Sequence, residues 1–193
     1  MRQRPKASRE PLNQTFGRAM NELLRELRLQ HANLRLVLAH LESLRAALQA
    51  EPGGSRDALA LALDYMRIGP ELSHHVNEEL ICNAIAQQQR PLRAEISAIT
   101  EEHGTFDQRL RLLGQRLRKD SSDALIQALD AYLGDYARHM EIEESLLFPL
   151  AADTLASEDW SAIAQQWVHS QDPVFGPHRS ARFLPLSLAV HRR

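Results

Sequence analysis

The segment PLRAEISAITEEHGTFDQRLRLLGQRLRK, residues 91–119, decides the fold class. Leu92, Ile96, Ile99, His103, Phe106, Leu110, Leu113 and Leu117 recur in steps of four and three, the spacing that lines up one face of a 3.6-residue helix. Pro91 opens the segment at a first-turn position, where a missing N–H costs nothing. Every residue of that stripe is apolar except His103.

The same pattern extends in both directions. Upstream, Leu24, Leu27, His31, Leu34, Leu38 and Leu41 form one helical face that ends at the breaker run Glu51-Pro52-Gly53-Gly54. A second stretch runs from about Ser55 and Asp57 to Gln89 and is interrupted at Gly69-Pro70, since the residue before a proline is pushed out of the helical region. Downstream, Ser121 or Ser122 can cap a fourth helix carrying Leu125, Leu129, Tyr132, Tyr136, His139, Glu143, Leu146 and Leu150. Ser157, Glu158 and Asp159 read as the start of a short helix reaching Trp167. Beyond Asp172, Pro173, Pro177 and Pro185 predict an irregular tail.

Composition agrees. The 193 residues contain 31 Leu and 25 Ala but only 13 Val plus Ile, with 5% aromatics, which is too little β-branched and aromatic content for a sheet-rich fold. The expectation is an all-α, up-down-up-down four-helix bundle over residues 13–168, with a short C-terminal helix included, a flexible arm over 1–12 and a tail over 169–193. A net charge of -2 offers no excess to neutralise phosphates, so nucleic acid is excluded as a partner, and no apolar run is long enough to span a membrane. The basic N-terminus lacks a signal-type apolar stretch and Cys82 has no partner for a disulfide; both predict a cytoplasmic protein.

Nine histidines remain to be explained. His31, His103, His139 and Glu143 occupy slots in stripes otherwise filled by Leu, Ile, Phe and Tyr. Burying an ionised carboxylate and several imidazoles without partners costs several kcal/mol per group, and a bound metal ion removes that cost. Residues four apart lie one turn apart on a helix face, so His-x-x-x-Glu aims an imidazole and a carboxylate at one point. On the second helix, register permits His74/Glu78 and His75/Glu79 equally. The repeat between HHVNEELIC at 74–82 and HMEIEESLL at 139–147 selects His74 and Glu78, and leaves His75 and Glu79 as outer-layer or surface residues.

The predicted ligand set is therefore His31, His74, Glu78, His103, His139 and Glu143. With both carboxylates bridging, it supplies about eight bonds to two metal ions and leaves positions for a bridging oxygen and an exogenous ligand. Imidazole and carboxylate donors with open positions suit iron first, manganese next and zinc last. Cys82 reads as a small buried apolar residue. Tyr132 and Tyr136 read as packing neighbours of His139, the arginines at 109, 111, 116 and 118 as a solvated face, and His40, His169, His178 and His191 as peripheral.

HHVNEE, EEH at 101–103 and HMEIEESLLFPL at 139–150, preceded by the histidine of LQHANL, resemble the bacterial hemerythrin-like (HHE cation-binding) domains over about residues 20–168. DPVFG at 172–176 resembles the C-terminal segment of a proteobacterial subgroup. The resemblance implies a four-helix bundle with a non-haem di-iron centre on the same six residues. Two departures stand out. Oxygen-carrying hemerythrins have a further histidine one turn after the third-helix histidine, where this chain has Asp107. Their last carboxylate also follows its histidine by five residues rather than four. The five-histidine carrier set is thus not expected, and Asp107 is a candidate seventh donor. The resulting expectation is a di-iron protein that binds or senses O2, NO or peroxide, or handles iron. The alternatives are a di-iron enzyme that reduces peroxide or NO or donates iron for iron–sulfur repair, and a metal-free regulatory or interaction bundle. The sequence names no protein partner.

Overall fold

A computed structural model of the chain describes residues 10–51, 55–88, 94–119, 121–169 and 171–192. The helices among them are α1 (Glu10–Ala50), α2 (Arg56–Ile68), α3 (His74–Gln87), α4 (Ala94–Lys119), α5 (Ser122–Ile142), α6 (Phe148–Thr154), α7 (Ser157–Gln166) and α8 (Leu184–Val190). Residues 1–9 of the expected arm, the turn at 52–54 and the expected helix opening at Pro91 and Leu92 lie outside the described residues; residues 10–12 are already helical. Among the described residues no helix is long and apolar enough to cross a membrane.

Four rods make the bundle. The second is α2 plus α3, separated by Gly69 and a 3-10 turn at Pro70–Leu72. A Cβ on Gly69 would come within 2.8 Å of the Tyr65 ring, so the break needs glycine there as well as proline. The fourth rod is α5 continued into α6 through a π turn at Glu143–Leu147.

Two apolar clusters reveal the up-down order. One holds Leu34 to Leu48 of α1, Leu59 to Met66 of α2, Phe106 to Leu117 of α4 and Leu125 to Met140 of α5. The other holds Leu23 to Leu27, Ile81 to Ile85, Ile96, Ile99 and Leu147 to Ala151. Successive rods therefore pass between the clusters in alternating directions, as an antiparallel bundle requires. Each rod crosses a polar layer between them, and His31, His74 to Glu78, His103 and His139 to Glu143 all fall in that layer.

The π turn corrects one expectation. The 3,4 spacing placed Leu146 and Leu150 on the buried stripe, yet these are half-buried while Leu147, Phe148 and Ala151 are buried. The Phe148 N–H bonds the Glu143 carbonyl, five residues back, so the wider turn advances the inward face by one residue. The cap of α7 also moves: Ala156 takes the N-cap position and its N–H donates to Asp159 at 2.8 Å.

The C-terminal segment, expected to be irregular, is so only in part. Turns carry it to Ser180, after which a 3-10 turn at Ala181–Phe183 leads into α8. Phe183, Leu186 and Val190 recur at helical spacing and bury themselves, with Val174, against the first cluster. Asp172 fastens this segment. It accepts the Tyr65 hydroxyl at 2.6 Å and the N–H groups of Val174 and Phe175 at 2.7 and 2.9 Å. Asp172→Ala strands a buried Tyr65 hydroxyl, and is expected to lower stability in urea unfolding by about 1–3 kcal/mol and to expose the C-terminal segment to protease. Unchanged unfolding would show that the segment does not depend on this clasp.

Candidate metal centre

All six sequence-predicted ligands meet in the polar layer, and none is more than 5% exposed. The ligand atoms of His31, His74, Glu78 and Glu143 lie within 4.8 Å of one another, and those of His75, His103 and His139 form a second group within the same limit. Glu143 joins the two groups. Its carboxylate lies 3.3 Å from His31 Nε2, 3.4 Å from His103 Nε2 and 2.9 Å from His139 Nε2. Glu78 lies opposite, 3.5 Å from His31 and His74 Nε2 and 3.6 Å from His103 Nε2.

Several of these close atoms make no hydrogen bond. Both oxygens of Glu78, Oε2 of Glu143 and Nε2 of His139 are buried without a partner of suitable geometry. His31 Nε2 and His74 Nε2 stand 3.1 Å apart, a contact that requires a proton on one of them or a cation beside both. A protein folds around such an arrangement only if the penalty is offset, and cations held between the nitrogens and carboxylates offset it.

The outer nitrogens are anchored. Nδ1 of His31 bonds Glu144 at 2.8 Å, that of His74 bonds Gln30 at 3.0 Å and that of His139 bonds Glu102 at 2.9 Å. Glu144 and Glu102 are held in turn by Arg35 and Arg138. Such bonds fix the tautomer with Nδ1–H outward and the Nε2 lone pair inward, as in metal-ligating histidines. Periodicity does not single out these outer partners, because each lies directly beside a candidate ligand in sequence, Gln30 before His31, Glu102 before His103 and Glu144 after Glu143.

Of the two expected places, the outer layer and the surface, the surface is ruled out: His75 is 2% exposed, and its ring stacks on His103 with centroids 4.1 Å apart. Its Nδ1 bonds Glu71 at 2.7 Å. Five imidazoles, not four, therefore converge on the layer. The Glu71-x-x-x-His75 spacing, an acceptor one turn before the ring, was the available signal.

Other candidates stay outside. Asp107 accepts from Arg111 Nε at 2.7 Å rather than joining the cluster. Glu79 is exposed, with its carboxylate 4.0 Å from His103 Nδ1. Burial pushes the Cys82 thiol up to about 12, and this thiol belongs to neither donor group. His169, His178 and His191 are exposed, and His40 is half-buried.

Electrostatics set how the metal-free layer holds protons. Burial opposes a charge on His31, but the Glu143 and Glu78 carboxylates outweigh it and lift the imidazole to about 10. Burial, reinforced by the Glu143 charge, raises Glu78 to about 8. Burial also lowers His103 to about 4, and with the charge of His31 it depresses His74, so both present free lone pairs at neutral pH. A cation entering the layer must displace the protons on His31 and Glu78. Metal affinity is accordingly expected to rise at least about tenfold per pH unit between pH 6 and 7.5, since each released proton contributes one factor of ten. Titration with a fluorescent metal competitor at several pH values checks this, and a flat profile would contradict it.

Comparison with known proteins agrees with the geometry. The family model described as Hemerythrin HHE cation binding domain matches residues 22–151, a span that contains all seven clustered residues. No curated protein and no solved structure matches the chain. A helical bundle with a buried histidine and carboxylate layer and a family match over most of its length admits one assignment: the chain belongs to the hemerythrin HHE cation-binding domain family.

Proposed function

We propose that this chain holds two iron ions on His31, His74, Glu78, His103, His139 and Glu143, and uses them to bind or sense O2, NO or peroxide, or to handle iron. The observation that carries the reading is the pair of buried carboxylates, Glu78 and Glu143: both oxygens of Glu78 and Oε2 of Glu143 lack hydrogen-bond donors while lying beside inward Nε2 atoms. Iron bound there supplies a redox couple and open positions for a small ligand.

The chain's own residues do the rest. Glu78 and Glu143 neutralise the positive charge and reach both groups of imidazoles. Glu144, Gln30 and Glu102 hold three of the rings in their inward tautomer. The flanking apolar clusters keep bulk water from the layer. Nitrogen and oxygen donors without a thiolate favour iron over metals that select sulfur.

Optical titration of the anaerobically iron-loaded chain with NO and with azide tests the reading. New near-ultraviolet and visible bands on oxidation that shift with azide are expected. Spectra indifferent to oxidant, NO and azide would contradict it.

A further inference from the structure

We propose that the groove between α2 and the C-terminal half of α4 is a binding site for an amphipathic organic anion, a carboxylate or sulfonate head on an apolar body. The site is separate from the metal centre: none of the residues lining it belongs to the polar layer.

Helical register builds the groove. Asp57, Ala60, Asp64 and Arg67 line it from one face of α2, in steps of three and four. Leu110, Gly114 and Leu117 line it from α4 at the same spacing, with Arg111 and Arg118 on the row beside them. Arg56 at the start of α2 donates to the Leu117 carbonyl, which fixes the two helices antiparallel along the groove. The cavity measures about 650 Å³. Sites for small organic ligands fall at roughly 300–1,000 Å³, with an apolar lining and a few convergent polar groups. The floor here is apolar, since Leu63, Leu110 and Leu117 are buried in the first cluster.

Gly114 keeps the groove open. A Cβ there would meet nothing nearer than the Arg118 guanidinium at 3.9 Å, so packing does not require glycine at this position. Glycine inside a helix weakens it relative to residues that carry a side chain. What the bare backbone provides is space beside the groove wall.

Charge gives the sign of the ligand. Four arginines, Arg67, Arg111, Arg118 and Arg182, border the groove against two carboxylates, Asp57 and Asp64. Arg67 and Arg182 share the single carboxylate of Asp64, and Arg111 bonds Asp107 outside the groove. Arg118 makes no hydrogen bond or ion pair among the described residues, and its guanidinium lies over Gly114. An anionic head at Arg118 finds a planar, fork-shaped donor, while an apolar body covers the leucine floor. A cation would meet the excess of arginine instead.

The test is fluorescence titration of the full chain, with chelator present, using 8-anilinonaphthalene-1-sulfonate and its uncharged analogue N-phenyl-1-naphthylamine. One saturable sulfonate site per chain is expected, with the uncharged analogue bound at least about tenfold more weakly. Arg118→Gln is expected to weaken the sulfonate by a similar factor, and Gly114→Leu to remove the site by filling it. Arg118 is exposed, so its variant keeps the fold and decides the matter even if Gly114→Leu does not fold. Absence of a saturable site, equal affinity for both probes, or wild-type affinity in Arg118→Gln overturns the proposal. Each of these results leaves the metal centre untouched, because the titration contains no free metal.

Discussion

Glu78→Gln is expected to empty the metal centre and, at the same time, to stabilise the metal-free bundle. The metal loss follows from position. Glu78 lies within 3.6 Å of Nε2 of three histidines drawn from both donor groups, so a neutral amide removes charge at both ends. Metal content is expected to fall from two ions per chain to fewer than one. The stability gain follows from the same burial. In the metal-free fold Glu78 titrates near 8 instead of 4.5, because burial and the neighbouring Glu143 disfavour its charge. A carboxyl whose folded pKa lies above its unfolded value costs the fold nothing below the unfolded pKa. Its cost grows as pH rises through 4.5 and levels off above about 8. Glutamine has no such cost. In urea unfolding with chelator present, the variant is expected to be more stable by about 1–4 kcal/mol at pH 7.5, with the advantage shrinking towards pH 5. A variant that still holds two metals, or that is less stable than wild type at pH 7.5, contradicts the assignment.

Metal loading is expected to raise the melting temperature strongly. The unfolded chain has no preformed site, so binding free energy adds to folding free energy. At a free metal concentration a thousandfold above Kd, one site contributes about 4.1 kcal/mol. For a chain of this size each kcal/mol shifts Tm by about 2–4 °C, so an increase of roughly 8–16 °C is expected from a single tightly held ion. Calorimetry before and after exhaustive chelation measures it. The same comparison on Glu78→Gln is expected to show little change. Equal melting temperatures for loaded and stripped wild-type protein would mean that the polar layer is satisfied without metal.

Most of the fold and four of the seven clustered residues were legible from periodicity, and the internal repeat added His74 and Glu78. The stripe containing His103 required one face to be both buried and imidazole-bearing, and only a bundle with a polar layer meets that requirement. Residues beyond Glu143 were misplaced because 3.6-residue spacing assumes an unbroken α-helix. The π turn adds a residue that no propensity announces, and it lies where Glu143 and Glu144 both serve the site. His75 was displaced by a sound but incomplete argument. The repeat aligned His74 with His139, and no helical spacing marks the adjacent His75 as buried too where α3 is only beginning. The C-terminal segment failed in the opposite way, since three prolines outweighed the spacing of Phe183, Leu186 and Val190, which buries them together.

The central claim is that the polar layer is a two-metal centre. Metal analysis of the wild-type chain after anaerobic loading with Fe(II) and removal of unbound metal tests it most directly. Two irons per chain, with an optical spectrum that changes on oxidation, is the expected result; fewer than about one retained metal per chain would contradict the account.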